Sequence, residues 1–138
     1  MLATNKYPRE YVDQCRRRID SQVATYRTAV GAKGDKLGSP FELLEHEFFN
    51  NMVLMLDYLF VHRARTLELK DGNPLNEVRV ICKSITQNQG VMSTDNAVKL
   101  DPAKSVTGLQ YGEEIKMNDA EFLRLAEAFF VELERKFM

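Results

Sequence analysis

Apolar residues recur at steps of three and four in four stretches of the chain, and this period predicts four amphipathic α-helices. The first should run from about Pro8 to Val30, because proline suits the first position of a helix, where its missing N–H costs nothing. Its apolar stripe consists of Val12, Cys15, Ile19, Val23, Tyr26 and Val30. The stripe is continuous, which is typical of a helix with one buried side and one solvated side.

The second predicted helix is apolar on nearly every side. It opens at Ser39-Pro40-Phe41-Glu42, a capping box, and neither glycine nor proline follows before Gly72, so the helix could extend over about 30 residues. Its main stripe is Phe41, Leu44, Phe48, Met52, Met55 and Leu59. Four further apolar residues point away from that stripe, namely Val53, Leu54, Phe60 and Val61. A helix that is apolar on nearly every side is enclosed on nearly every side, so it is either the central helix of the bundle or paired with another copy of the chain. We expect a homodimer interface that contains Val53, Leu54, Asp57, Phe60 and Val61.

The third helix should begin after Asn73, with Pro74 in its first turn, and end before Gly90. The fourth should begin after Asn118. Between them, two segments alternate in polarity, residues 97–100 and 114–117, and we expect them to pair as a β-hairpin. This hairpin should pack Val98, Leu100, Ile115 and Met117 against the helices. The fold predicted from these patterns is all-α in the main, a four-helix bundle with a hairpin insertion in a single domain covering residues 1–138.

Asp57 interrupts the apolar run of the second helix, nearly opposite its main stripe. A carboxylate enclosed there without a partner would cost several kcal/mol or become neutral. Arg16 or Arg18 of the first helix could pair with it. Alternatively, Asp57 faces solvent in a monomer, or it sets the specificity of a dimer interface.

Polar residues concentrate where the second helix gives way to the third. The start of the third helix offers free backbone N–H groups, which favour an anion, and arginines nearby could bind a carboxylate or phosphate in two-point contacts. The candidate ligand-binding residues are His62, Arg63, Arg65, Asn73, Asn76 and Arg79, together with Asn51 and Tyr58 along one edge of the second helix. The competing interpretation is structural: the arginines pair with Glu68, Asp71 and Glu77, and the asparagines only cap and turn the chain.

Motifs for established chemistries do not occur in the sequence. There is no Glu-x-x-His pair, and His46 and His62 would lie roughly 160° apart around a straight helix, so we expect no metal site. The nucleophile and phosphate-loop motifs Gly-x-Ser-x-Gly, Gly-x-Gly-x-x-Gly and Gly-x-x-x-x-Gly-Lys-[Ser/Thr] are missing as well. We therefore predict no catalytic residue and no cofactor, and we lean towards a protein that is not an enzyme.

Composition restricts the classes of partner. The chain has 138 residues and a formal net charge of -1, and it lacks both a run long enough to span a membrane and an apolar leader segment. We therefore expect a cytoplasmic protein with no membrane association. Residues 5–30 hold six basic residues against three acidic ones, but acidic residues interrupt every basic run, so nucleic-acid binding through the first helix is only a second alternative.

These patterns favour a non-enzymatic interaction or scaffold protein that self-associates through its second helix, with a further protein partner possible. The first alternative, from a different class, is a protein or enzyme that binds a small anion at the junction of the second and third helices.

Overall fold

The structure, a computed structural model, describes residues 3–31, 38–95 and 97–138. Within these ranges it contains five helices, so the prediction of a mainly helical protein is confirmed. The helices are α1 (Arg9–Val30), α2 (Gly38–Leu59), α3 (Arg65–Glu68), α4 (Pro74–Gln87) and α5 (Asp119–Phe137).

Helices α1, α4 and α5 begin where the sequence predicts. Pro8 precedes α1 directly, and the side chain of Asn73 caps α4 by accepting hydrogen bonds from the backbone N–H groups of Leu75 (2.9 Å) and Asn76 (3.3 Å). Asn118 caps α5 in the same way, accepting a hydrogen bond from the backbone N–H of Glu121 at 2.8 Å. The predicted cap of α2, the side chain of Ser39, lies outside the described residues.

Helix α2 ends at Leu59, well before the predicted end, and the long second helix is therefore wrong. The cause is tertiary, because other parts of the chain satisfy the free carbonyl groups at this end. The Tyr11 hydroxyl donates to the Leu59 carbonyl oxygen (2.5 Å), and Arg63 donates to that of Phe60 (3.1 Å). Beyond the turn, the N-terminal segment pairs with the chain through Thr4. The N–H of Thr4 donates to the carbonyl oxygen of His62 (2.7 Å), and the carbonyl oxygen of Thr4 accepts from the N–H of Ala64 (2.8 Å).

The predicted β-hairpin is also wrong. Residues 97–99 form a turn, and the described ranges contain no strand, only two isolated bridges. The segment that runs antiparallel to residues 112–115 is instead 90–92, held by backbone hydrogen bonds that include two to Met92 at 2.8 Å. The predicted burial is nonetheless correct for all four apolar residues, namely Val98, Leu100, Ile115 and Met117. Two short alternating segments indicate which side chains are buried, but not which backbones pair.

Side chains of α2 and α4 anchor the chain between α4 and α5. The Asn50 amide donates to the carbonyl of Ile115 (2.9 Å) and accepts from the N–H of Met117 (3.0 Å). Glu77, which is buried, accepts hydrogen bonds from the backbone N–H groups of Val106 and Thr107, both at 2.9 Å. Gly72 completes the packing, because a Cβ atom there would lie 2.7 Å from the Lys99 carbonyl oxygen.

Helices α2, α4 and α5 pack against one another, and α1 packs against α2. Aromatic rings from α2, the turn that follows it and α5 dominate the centre of the core: Phe49, Phe60, Phe122, Phe129, Phe130 and Phe137. No helix within the described ranges is both long enough and apolar enough to cross a membrane.

Candidate functional site

Glu68 organises the polar residues that lie between α2 and α4. Its carboxylate has no exposed surface and accepts hydrogen bonds from Arg63 Nε (2.7 Å), Asn76 Nδ2 (2.8 Å) and Arg79, whose Nη2 and Nε lie at 2.6 and 3.1 Å. The helix α3 that carries Glu68 has only four residues, so these partners rather than the helix fix the position of the carboxylate.

Arg63 links Glu68 to α2. Its guanidinium is fully buried, donates to the carbonyl oxygens of Phe60 (3.1 Å) and Leu75 (3.2 Å), and lies 2.9 Å from Asp57 Oδ1. The predicted partner of Asp57, Arg16 or Arg18, is therefore wrong. Arg63 comes from the turn after α2, and this turn does not exist in the uninterrupted helix that the sequence suggested. We call Asp57, Arg63, Glu68, Asn76 and Arg79 the Glu68 network.

The charges of this network compensate one another, since it contains two carboxylates and two guanidinium groups. Burial alone would raise the pKa of Glu68, but hydrogen bonds from Arg79 and the charge of Arg63 outweigh it and hold this pKa below its ordinary value. Burial works the other way on Arg79, and its hydrogen bonds to Glu68 still leave its pKa raised. Both groups are thus charged at neutral pH.

The network occupies the place where the sequence suggested an external anion. It includes Arg63, Asn76 and Arg79 from the predicted ligand-binding set, but their donors point at an internal carboxylate. Asn73 caps α4 and donates to the Glu68 carbonyl oxygen at 2.8 Å, so the start of that helix is also occupied. His62 and Arg65 are exposed and stay outside the network.

Sequence reasoning identified Glu68 only as one of three possible partners for the arginines. Its central role depends on the early end of α2, which turns Arg63 inward. The sequence signal that points to this arrangement is Asn76 one turn before Arg79 on α4, because both side chains then project from one helix face.

The structure divides the predicted dimer interface into two groups. Val53 and Phe60 have no exposed surface and belong to the core of this chain, so they have nothing to offer a second copy. Leu54 is half-buried, Val61 is 37% exposed and Asp57 is accessible at its edge. A helix that contacts both α4 and α5 needs apolar residues on two faces, and this explains part of the excess apolar surface.

A groove of about 650 Å³ runs between α2 and α4. It brings Leu54, Asp57 and Val61 together with Tyr58 and Arg79 from the predicted ligand-binding set. The remaining lining residues come from both helices: Met55, Cys82, Lys83, Thr86 and Gln87. Cys82 is buried, which raises the pKa of its thiol and makes it a poor nucleophile.

A second groove, of about 380 Å³, lies on the other side of α2, against α1. Asn51 and Met55 contribute to it from the outer side of α2. The opposite wall comes from α1: Gln22, Thr25, Tyr26 and Ala29. The outward side of α2 is therefore a ridge with an apolar groove on either side.

Five residues along this ridge follow the three-and-four spacing of a coiled-coil seam, and we call them the outer α2 stripe: Leu44, Glu47, Asn51, Leu54 and Tyr58. Leu44 is 59% exposed and Tyr58 is 73% exposed, the highest value for a large apolar or aromatic side chain among the described residues. Between Glu47 and Asp57 the helix carries no charged residue at all. The outward side of a surface helix ordinarily carries charges, so the stretch between Glu47 and Asp57 is unusually apolar.

The basic residues of α1 are largely engaged by α5. Arg9 pairs with Glu134 (2.8 Å), and Arg16 pairs with Glu134 (3.3 Å) and with Glu127 (3.0 Å). Further along α1, Arg27 forms a two-point pair with Asp119 (2.7 and 2.8 Å). Arg9, Arg16 and Arg27 therefore hold α1 to α5.

The histidines do not come together. His46 Nδ1 lies 3.0 Å from the carbonyl oxygen of Met117, whereas His62 is exposed in the turn after α2. The part of the chain that the structure describes contains no group of three or more side chains suited to hold a metal ion.

Comparison with protein-family models, curated proteins and solved structures finds no match for this chain.

Proposed function

We propose that this protein is a non-enzymatic interaction module that self-associates as a homodimer through the outer α2 stripe and the grooves beside it. The observation that carries the proposal is the outward side of α2, which has no charged residue between Glu47 and Asp57 and from which Tyr58 projects. In this proposal the four longer helices form a bundle that presents α2, and the protein works in the cytoplasm.

Burial of apolar surface supports this reading. Removing apolar area from water contributes about 25 cal/mol per Å², so accessible leucine and tyrosine side chains on one helix face favour association. The Glu68 network supplies the contrast, since the buried carboxylate of Glu68 already accepts hydrogen bonds from Arg63, Asn76 and Arg79. The ionisable groups of the Glu68 network thus lie mostly in the interior, whereas the apolar side chains of the outer α2 stripe are accessible to a partner.

A second copy of the chain fits this surface because the surface offers both parts of a complementary pair. A two-fold dimer uses the same patch on both subunits, so the patch must hold projections as well as recesses. Here the ridge that carries Tyr58 lies directly beside the groove between α2 and α4. The ridge of each copy can therefore pack into a groove of the other, as helices commonly do.

The test compares two substitutions of exposed apolar residues by light scattering coupled to size-exclusion chromatography. We expect the native chain to elute as a dimer, Tyr58→Lys as a monomer, and Val131→Lys as a dimer, because Val131 is 55% exposed on α5, away from the stripe. A native monomer throughout the micromolar range would contradict the proposal. A dimer that survives Tyr58→Lys would show that a different surface mediates association.

A further inference from the structure

We infer that the two copies of α2 lie antiparallel, with the two-fold axis passing through Asn51. This inference rests on the proposed dimer and adds its register. In such a pair, residues equally far from Asn51 along the helix face each other. Leu44 therefore packs against Tyr58 of the second copy, and Asn51 meets the Asn51 of the second copy on the axis.

Asn51 suits a position on the axis because its side-chain amide is both a donor and an acceptor. Two such amides related by a two-fold axis can satisfy each other, which an unpaired amide in an apolar interface cannot do. A single polar residue in an apolar seam is also a known way to fix the register of paired helices. Asn51 is exposed on the ridge between the two grooves, where it is free to make this contact.

Charge supports the same register. With the axis at Asn51, Glu47 of one copy lies level with Met55 of the other, and Met55 lines the groove together with Lys83. Within the described ranges neither Glu47 nor Lys83 has an ion-pair partner within 4.0 Å, and both are exposed. The antiparallel arrangement thus forms two equivalent Glu47–Lys83 pairs, one on each side of the axis.

Other arrangements lose these contacts. A parallel pair places the two Glu47 carboxylates beside each other, where like charges repel. Moving the axis by one turn towards Tyr58 shifts Glu47 by about 10 Å relative to Lys83, since both helices contribute a rise of 1.5 Å per residue. Only an axis close to Asn51 satisfies the amide and the two charges together.

A charge exchange tests the ion pairs. Glu47→Lys and Lys83→Glu should each weaken dimerisation about tenfold, because each creates two like-charge contacts, and the double variant should return to the native dissociation constant within about twofold. If the double variant dissociates as readily as the single ones, the proposed register is wrong. The measurement is sedimentation equilibrium of each variant at the same ionic strength.

Cysteine cross-linking tests the axis. Asn51→Cys should form a disulfide-linked dimer under mild oxidation, because a residue on the axis meets its own copy at a distance a disulfide can bridge. Leu44→Cys and Tyr58→Cys should cross-link to each other in a mixture, and neither should cross-link alone. Val131→Cys serves as the control, and the native Cys15 and Cys82 are buried.

The outcomes separate this inference from the proposed function. A native protein that stays monomeric would overturn both. A native dimer in which Asn51→Cys does not cross-link, or in which Tyr58→Cys cross-links to itself, would overturn the register and leave self-association through α2 in place.

Discussion

The Glu68 network and the outer α2 stripe meet at the last turns of α2, yet they differ in how much of their side chains is accessible to solvent. The network gathers two carboxylates and two guanidinium groups, and its central residues, Arg63 and Glu68, have almost no accessible surface. The stripe has Glu47 as its one charged residue, and its Leu44 and Tyr58 side chains are largely exposed. The comparison indicates that perturbed ionisable groups here hold the fold together, whereas the accessible apolar residues are available for a partner.

The largest effect should follow from removing the centre of the network. Glu68→Ala removes the carboxylate that Arg63 and Arg79 share and leaves the fully buried Arg63 with Asp57 alone, so we expect the free energy of unfolding to fall by about 3–5 kcal/mol. Chemical denaturation monitored by circular dichroism measures this loss. Glu68→Gln is the matched control, since it keeps the size and some of the hydrogen bonds, and its loss should be smaller. A change below about 1 kcal/mol for Glu68→Ala would mean that the network does not stabilise the fold.

Phe60 and Tyr58 sharpen the comparison, because these aromatic residues are only two positions apart, yet Phe60 is buried in the core and Tyr58 is exposed on the outer α2 stripe. Phe60→Ala should lower the free energy of unfolding by about 3–5 kcal/mol, since a fully buried ring leaves a cavity. Tyr58→Ala should change it by less than about 0.5 kcal/mol when it is measured at concentrations where the chain is monomeric. Similar losses for both variants would contradict the assignment of Phe60 to the core and Tyr58 to the surface.

These two residues also show why the sequence predicted some features and not others. Helix starts depend on local signals such as Asn73 followed by Pro74, and those predictions are confirmed. The end of α2 has no such signal, because it depends on the Tyr11 hydroxyl, which comes from α1, and on Arg63 folding back onto Phe60 from the turn after the helix. Without that end, the sequence could not distinguish Phe60, which turns inward, from Val61, which stays accessible.

The candidate polar site shows the same division between local signals and tertiary contacts. Arg63, Asn76 and Arg79 were recognised as residues that could bind an anion, and they do converge. The sequence does not show that they converge on the carboxylate of Glu68, because this depends on where the chain places Glu68 in three dimensions. Glu68, five residues after Arg63, reaches them only because α3 forms a single turn between two bends of the chain. The geometry of such a turn is set by tertiary contacts, which no periodic pattern reports.

A smaller effect should come from acid. Because the pKa of Glu68 is lower in the folded chain than its ordinary value of 4.5, its ionisation stabilises the fold above that value, and the contribution disappears as the pH falls through the lowered pKa. The native chain should therefore lose stability below about pH 5 more steeply than Glu68→Gln, and their unfolding free energies should converge. Urea titrations at several pH values measure both slopes. Parallel curves would mean that the Glu68 charge contributes nothing to folding.

The most direct test of the central claim, that the outward side of α2 binds a second copy of the chain, is sedimentation equilibrium of the native protein over a range of concentrations. We expect a molar mass that rises with concentration towards that of two 15.9 kDa chains, and no such rise for Tyr58→Lys. A mass of 15.9 kDa at every concentration, for a chain that is fully folded, would contradict it.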